Sequence, residues 1–278
     1  MSIGKKIENI ILTFIKYFSL CLGAFIAVIP VVVCLFTAFK TDEEYATTNV
    51  MQLPQSWTYL ENFKIAWTKA KMFNGFKNTF IIMIVVVCGS IMIGAMLAYV
   101  LNRFKFPGNA LIRNLFLFAT LIPGVATQVT VYQIMHSLGF INKIYGYIIL
   151  MLGTDVISIY VFLQFFENIS VSLDESAIMD GCTYYGVFIK ILLPLLKPAM
   201  VTCMILKGVG IYNEYYCSNL YIPSQTISTA LYTFTGPYGS QYNYICAGVI
   251  ITIIPALIIF ICCQKQIYSG LAAGAVKG

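Results

Sequence analysis

Long apolar stretches recur along the whole chain, and short polar or charged segments separate them. A helix needs about 20 apolar residues to cross the hydrocarbon core of a bilayer. The pattern therefore predicts six membrane-spanning helices, at approximately residues 17–39, 78–101, 115–136, 144–166, 198–216 and 244–263. Pro30, Pro123 and Pro255 fall inside predicted spans, where neighbouring helices can satisfy the carbonyl groups that proline leaves free. Residues 1–278 are thus interpreted as a single all-α transmembrane domain.

The composition supports this interpretation. Of the 278 residues, 59% are hydrophobic and only 10% are charged, whereas soluble domains usually carry about 25% charged residues. This leaves no room for a separate soluble domain. The net charge of +6 is typical of a membrane protein whose cytoplasmic loops are rich in Lys and Arg, so it does not indicate nucleic-acid binding. The nine cysteines are scattered, mostly in apolar stretches, which favours buried reduced thiols over a disulfide framework.

Basic residues concentrate in alternate connections between the predicted spans. Short loops rich in Lys and Arg are expected on the cytoplasmic side of a membrane. With the N-terminus inside, the basic residues on that side are Lys5, Lys6, Lys16, Arg103, Lys105, Arg113, Lys190, Lys197, Lys265 and Lys277. The charge pattern therefore predicts that both termini and the connection between the fourth and fifth spans are cytoplasmic.

The most informative polar segment is this connection, residues 172–194. Ser172 and Glu175 have the spacing of a capping box, which predicts that a short helix begins there. Asp174 and Glu175 fall in its first turn, where negative charge complements the helix dipole. Gly181 can adopt the left-handed conformation that ends a helix. The segment is thus predicted to be a short, capped helix outside the membrane.

This segment resembles the cytoplasmic coupling loop of ABC importer permeases, whose signature is E-A-A-x-x-x-G-x9-I-x-L-P. The matching residues are Glu175, Ser176, Ala177, Gly181, Ile191, Leu193 and Pro194, with serine where the second position is usually alanine. The resemblance implies the type I ABC importer permease fold and a helix that docks in a cleft of an ATP-hydrolysing subunit. The ATPase-coupling residues that it implies are Asp174, Glu175, Ser176, Ala177, Asp180 and Gly181. The alternative is a plain amphipathic connector.

The C-terminal sequence narrows the resemblance to one branch of these permeases. Gly-Leu-x-x-Gly-x-Val-Lys-Gly is similar to the end of the carbohydrate importer permeases, and especially of the smaller permease subunit of maltose-type transporters. The resemblance implies a cytoplasmic tail over residues 264–278 that reaches between ATPase subunits. The contacting residues would be Gly270, Gly274, Val276, Lys277 and Gly278. The alternative is a disordered end.

Two charged residues of the fifth span are candidates for the transport pathway. Lys207 and Glu214 lie two helical turns apart, and so on one face, and charges inside spans are functional hypotheses by default. The sequence Tyr212-Asn213-Glu214-Tyr215 resembles the W-N-[DE]-F element of the family. Asn and Glu suit sugar hydroxyl groups, and Tyr offers a stacking face. The alternative is pairing with a partner subunit, or extension of the charged groups to the membrane interface.

The loop between the last two spans is a further candidate contact. It contains Gly236, Pro237, Tyr238 and Gly239. In maltose-type transporters the corresponding loop enters the sugar site of the binding protein, so the resemblance implies a binding-protein contact here. An ordinary turn remains the alternative, because Gly and Pro are common in turns.

The chain carries none of the sequence motifs that would predict catalysis. It has no G-x-x-x-x-G-K-[ST] motif to bind ATP phosphates, and its single histidine, His136, has no nearby carboxylate in sequence. We therefore expect neither an enzyme nor a metal site, and no cofactor in this chain. A structural scaffold would have no reason to carry the coupling pattern. An ion-driven secondary transporter remains an alternative, although only Glu214 is a candidate intramembrane acid.

The resemblance also implies a set of partners and a location. These partners are a second, distinct permease subunit in a heterodimer and two ATPase subunits that hold ATP and Mg²⁺. An extracellular or periplasmic sugar-binding protein would deliver the substrate. The chain would lie in the lipid of a bacterial cytoplasmic membrane. No nucleic acid is implied.

Overall fold

The computed structural model describes residues 3–153, 155–223, 225–236 and 239–275, with residues 3–8, 10 and 265–275 described by their backbone alone. In the first half, all regular elements of the described residues are helices, namely α1 Ile3–Ala38, α2 Asp42–Thr47, α3 Glu61–Lys69, α4 Met72–Arg103, α5 Asn109–Leu121, α6 Gly124–Ser137 and α7 Ile144–Met151.

The described part of the second half contains mostly shorter helices, one long helix at its end and a small hairpin. Its helices are α8 Val156–Glu167, α9 Ser172–Met179, α10 Tyr184–Val187, α11 Leu193–Leu195, α12 Lys197–Asn213, α13 Tyr216–Tyr221, α14 Ile227–Ala230 and α15 Tyr242–Ala275. A π-helical turn, Phe188–Leu192, joins α10 to α11, and a 3₁₀ turn, Leu231–Phe234, follows α14. Strands β1 Thr235–Gly236 and β2 Gly239–Ser240 pair in antiparallel fashion, with Thr235 opposite Ser240.

The described residues contain three helices that are individually long and apolar enough to cross a membrane: Ile11–Ala38, Met72–Arg103 and Tyr242–Gln264. Three bent pairs of helices also qualify: Asn109–Leu121 with Gly124–Ser137, Ile144–Met151 with Val156–Glu167, and Tyr184–Leu195 with Lys197–Asn213. Counting each bent pair as one span gives six. The all-α membrane fold predicted from the apolar pattern is therefore confirmed.

The third predicted span is not one continuous helix. It bends by 102° between α5 and α6, at Ile122 and Pro123. Proline disfavours the helical conformation in the residue before it, and Ile122 is accordingly extended, with ψ of 116°. The fifth span is also bent, by 76°, where α12 begins. Pro198 lies in the first turn of α12, where its missing N–H group would have no helical partner in any case.

The described chain forms two compact units. The first comprises residues up to 72 together with 231–257. In it, the fully buried side chain of Asn62 donates hydrogen bonds to the carbonyl oxygens of Ala38 and Lys40, at 2.9 and 2.7 Å. These bonds join α3 to the end of α1.

The second unit comprises residues 73–230 and those from 258 onward. Its apolar core is built mainly from α4, α8 and α10 to α12, and includes Ile91, Phe162, Phe166 and Leu192. α4 packs closely against α8 at Gly94, where a Cβ atom would lie in ordinary van der Waals contact, 3.6 Å from Phe162. This packing positions both sites described below.

Candidate coupling site and membrane cavity

The predicted short helix between the fourth and fifth spans is present as α9, but its predicted capping box is wrong. Ser172 is the first helical residue, and no side chain caps the helix from its N-cap position. The hydroxyl oxygen of Ser170 accepts the Ser172 N–H at 3.3 Å instead. The N-cap residue is therefore Val171, one residue earlier than the Ser172 that the sequence pattern predicts.

The predicted helix stop at Gly181 is confirmed. Gly181 has a φ of +88°, in the left-handed region. Its N–H donates to the carbonyl of Ile178 and the Cys182 N–H donates to that of Ala177, both at 2.9 Å. These two bonds form a Schellman motif, which satisfies carbonyl groups that a helix end leaves free. Among the described residues, a Cβ atom at position 181 would meet nothing within 4 Å, so the constraint at Gly181 is backbone strain rather than a clash inside the chain.

One side of α9 faces away from the rest of the protein. Of the residues predicted to couple to an ATPase, Glu175, Ser176, Asp180 and Gly181 are exposed. Asp174 and Ala177 are buried, so they cannot meet a partner directly in this conformation. The exposed surface also carries apolar side chains that the sequence reasoning missed, namely Leu173, Ile178, Met179, Tyr184 and Tyr185. Their presence in a polar segment is the signal that could have revealed them.

Asp174 forms a buried ion pair that the sequence reasoning also missed. The Arg103 Nε atom, at the end of α4, donates to Asp174 Oδ2 at 2.8 Å, and the two side chains are only 7% and 8% exposed. The guanidinium also donates to the carbonyl oxygens of Phe166 at 3.3 Å and Ile169 at 2.9 Å. One arginine therefore contacts the ends of α4 and α8 and the first turn of α9.

Aromatic rings enclose this ion pair. The Arg103 guanidinium lies 5.8 Å from the centre of the Phe166 ring, and the Tyr99 ring lies 5.9 Å from Phe166 and 5.4 Å from Phe188. The Tyr99 hydroxyl donates to the carbonyl of Tyr184 at 3.4 Å. Low exposure and apolar surroundings strengthen the attraction between the two charges. The other carboxylate oxygen of Asp174, Oδ1, is buried without a hydrogen-bond partner among the described residues.

A second polar feature is a cavity of about 370 Å³ between α8 and α12. Its lining residues are Met151, Asp155, Ile157, Ser158, Cys203, Leu206, Lys207, Gly210, Ile211 and Glu214. Lys207 Nζ lies 3.8 Å from Asp155 Oδ2, which also accepts the Ser158 hydroxyl at 2.9 Å. The sequence predicted Lys207 and Glu214 for the transport pathway, and both line this cavity. It did not predict Asp155.

Glu214 has a structural role as well. Its Oε1 atom accepts the N–H of Cys217 at 2.8 Å, which caps the first turn of α13. Its carbonyl oxygen accepts the hydroxyl groups of Ser218 and Ser228, at 2.6 and 2.7 Å. Tyr212 and Asn213, predicted beside it, are outside the cavity lining.

The remaining predicted contacts are only partly described. Gly236 and Gly239 face each other across the β1–β2 hairpin, while Pro237 and Tyr238 lie outside the described residues. Gly270 and Gly274 continue the helix α15. Val276, Lys277 and Gly278 lie outside the described residues. Within the described part of the chain, no three His, Cys, Asp or Glu side chains come close enough to hold a metal ion.

Comparison with known proteins gives a consistent result. Residues 90–264 match the family described as binding-protein-dependent transport system inner membrane component. The arabinooligosaccharides transport system permease protein AraQ of Halalkalibacterium halodurans is 31% identical over 280 residues, covering 99% of this chain and 100% of that protein. The probable starch degradation products transport system permease protein AmyC of Thermoanaerobacterium thermosulfurigenes is 30% identical over 269 residues, covering 94% of this chain and 97% of that protein.

Solved structures agree at the level of fold. A chain of a bacterial ABC transporter involved in the import of the acidic polysaccharide alginate matches with a TM-score of 0.78 at 20% identity, covering 95% of this chain and 98% of that chain. The resemblance to ABC importer permeases that the coupling segment carried is confirmed, and the family is one of transport subunits rather than enzymes. The chain belongs to the inner-membrane components of binding-protein-dependent transport systems, with the type I ABC importer permease fold in a multi-pass protein of the cytoplasmic membrane.

Proposed function

We propose that this chain is one of two different permease subunits in an ATP-driven importer of oligosaccharides. The observation that carries the proposal is α9, a short helix ended by Gly181 with an exposed mixed face, in a chain of this family. Relatives named for arabinooligosaccharides, starch degradation products and galactooligosaccharides support a carbohydrate substrate.

ATP hydrolysis would occur on two separate ATPase subunits that bind ATP and Mg²⁺. The exposed face of α9 would dock in a cleft of one ATPase subunit. There, Met179, which is 86% exposed, would fill an apolar pocket and Glu175 would meet a basic group. Closure of the ATPase subunits on ATP would push α9, and the spans would rock so that the pathway opens outward. Release of ADP would reverse the movement.

This mechanism fixes an orientation for the chain. Both termini, α9 and the tail would lie in the cytoplasm, and the tail residues from Gly270 to Gly278 would contact the ATPase subunits. As part of the outer loop that the sequence predicts between the last two spans, the β1–β2 hairpin would contact a binding protein. A solved alginate transporter in complex with a periplasmic protein that holds an alginate pentasaccharide supports this arrangement; its chain matches this one with a TM-score of 0.69 at 18% identity.

The cavity between α8 and α12 would form one wall of the sugar pathway. Its carboxylates and ammonium group, from Asp155, Glu214 and Lys207, provide acceptors and donors that suit sugar hydroxyl groups. The adjacent Tyr212 and Asn213 would contribute when the pathway opens. Because Lys207 is already paired with Asp155, the wall carries no free cation among its described residues to attract an acidic sugar.

The test is purification of this subunit from its native membranes under gentle conditions, with identification of the co-purifying chains and an assay of ATP hydrolysis. We expect an ATPase, a second permease and stimulation of hydrolysis by the binding protein. Uptake of radiolabelled malto- and arabino-oligosaccharides would then be measured with ATP depleted and ion gradients clamped. Uptake that continues without ATP would overturn the proposal in favour of a gradient-driven transporter.

A further inference from the structure

The coupling helix must be connected firmly to the spans if its movement is to reach them. Residues 168–171 and 180–183 flank α9, and both segments are short and largely exposed. Flexible connections alone would allow α9 to turn without moving the rest of the protein. A fixed contact between α9 and the span ends is therefore required for efficient transmission of force.

Arg103 makes such a contact. It is the last residue of α4, and its guanidinium binds Asp174 in α9, the carbonyl of Phe166 near the end of α8, and the carbonyl of Ile169 just beyond. A guanidinium holds its donors in a planar, rigid fork, so these contacts fix direction as well as distance. Asn102 adds a fourth acceptor, at 3.0 Å.

The surroundings make this contact hard to replace. Both charged side chains are at least nine-tenths buried, and Asp174 Oδ1 has no hydrogen-bond partner among the described residues. Among the described residues, the buried Asp174 carboxylate therefore depends on Arg103 for its stabilisation. Removing one partner of a buried ion pair is costly, because the other charge is left uncompensated.

We propose that Arg103 is a positioning residue that makes α9 move as one body with the adjoining ends of α4 and α8. The inference rests on the proposed function, since it explains how a push on α9 would reach two spans. It also assigns Asp174 a different role from the one that the family signature implies: Asp174 attaches the coupling helix to its own subunit, and the exposed Glu175 and Met179 face the partner.

The experiment uses the whole complex purified from membranes, with hydrogen exchange followed by mass spectrometry in ADP and in ATP with vanadate. In the wild type we expect nucleotide to change exchange at residues 172–180 and, together with it, at 99–104 and 166–169. In Arg103→Lys, which keeps the charge but loses the fork, the change at 99–104 should fall about tenfold while that at 172–180 persists.

A double variant distinguishes loss of the Arg103 contact from loss of folding. Arg103→Gln with Asp174→Asn removes both charges together, so no uncompensated buried charge remains. It should assemble with the ATPase and hydrolyse ATP, yet show the same loss of linked exchange. The matched control is Arg113→Lys, because Arg113 also pairs with a carboxylate, Glu167, at 3.4 Å, but both side chains are much more exposed. This control should keep the wild-type response.

The outcomes separate the two proposals. If the wild-type complex contains no ATPase and nucleotide does not alter exchange at 172–180, the proposed function itself fails. If the wild type responds and both Arg103 variants respond as the Arg113 control does, the positioning role is wrong. The role is also wrong if both Arg103 variants lose the ATPase from the complex, because Arg103 would then serve assembly rather than transmission.

Discussion

Two ion pairs in the same compact unit differ in almost every physical respect. Arg103 and Asp174 are 2.8 Å apart, and their side chains are 7% and 8% exposed. Lys207 and Asp155 are 3.8 Å apart, with side chains 23% and 16% exposed, and they line a cavity. The first pair is buried and shares its arginine with three other acceptors. The second adjoins open space.

The difference indicates different uses. An arginine fork fixed by several acceptors resists rearrangement, which suits a mechanical connection. A lysine ammonium is a compact point charge on a flexible stem, and it can turn its donors toward a new partner. On the proposed function, the pair at the cavity would exchange some of its contact for hydroxyl groups of a passing sugar, whereas the pair at α9 would hold its geometry.

The largest effect is expected at the buried pair. Asp174→Ala leaves the Arg103 guanidinium buried without its counterion, which should lower the free energy of unfolding of the subunit by about 3–5 kcal/mol. Thermal unfolding of the purified complex measures this loss. Glu175→Ala is the control, since Glu175 is adjacent but exposed and should leave the unfolding temperature unchanged. Equal stability of the two variants would contradict the account of Asp174.

A smaller effect is expected at the contact surface of α9. Met179→Ser changes a side chain that is 86% exposed, so stability should change by less than about 0.5 kcal/mol. Affinity for the ATPase subunit should nevertheless fall about tenfold, because an apolar side chain that fills a pocket can contribute more than 1 kcal/mol. Titration of the ATPase onto the permease in nanodiscs measures this change.

The control for this surface lies in another exposed turn. Leu138→Ser changes an apolar side chain that is 57% exposed, outside the coupling segment. It should leave the affinity for the ATPase unaltered. An equal loss of affinity in both variants would contradict a specific contact between Met179 and the ATPase subunit.

The smallest effect is expected at the cavity. Lys207→Met breaks a pair that is longer and less buried than Arg103–Asp174, so the loss of stability should be smaller than that of Asp174→Ala. We expect a rise in the KM for uptake of roughly fivefold with little change in kcat, because on the proposed function the contact helps to bind sugar throughout transport. Thr202→Val, on the same helix but outside the cavity lining, is the control. An unchanged KM for Lys207→Met would show that this cavity does not line the sugar pathway.

The sequence predicted what depends on local chemistry. Gly181 stops α9 through its own backbone conformation. Lys207 and Glu214 line one cavity as their spacing predicted, although Glu214 lies just beyond the end of α12 with an extended backbone. Local patterns can also compete, however. Ser172 has the capping-box spacing with Glu175, yet the Glu175 N–H donates to the carbonyl of Val171 at 3.1 Å, and the Ser172 N–H donates to the hydroxyl of Ser170.

What the sequence did not predict depends on tertiary packing. Arg103 and Asp174 are separated by 71 positions, so their pairing follows from how α4 and α8 pack, and no periodicity reports it. Asp155 reaches the cavity for the same reason, since its partner Lys207 is on another helix. The 102° bend at Pro123 was also missed, because proline alone does not say whether a span merely kinks or turns sharply.

The central claim is that α9, with its end at Gly181, couples this chain to an ATPase, and one paired comparison tests it most directly. Gly181→Asp and Gly139→Asp each place a side chain at a glycine of positive φ, +88° and +69°, where a Cβ atom meets nothing within 4 Å among the described residues. Both should cost about 1–2 kcal/mol of stability through backbone strain. We would measure ATPase co-purification and ATP hydrolysis for each complex. The account predicts that Gly181→Asp abolishes stimulated hydrolysis while Gly139→Asp retains it, and equal activity of the two variants would contradict it.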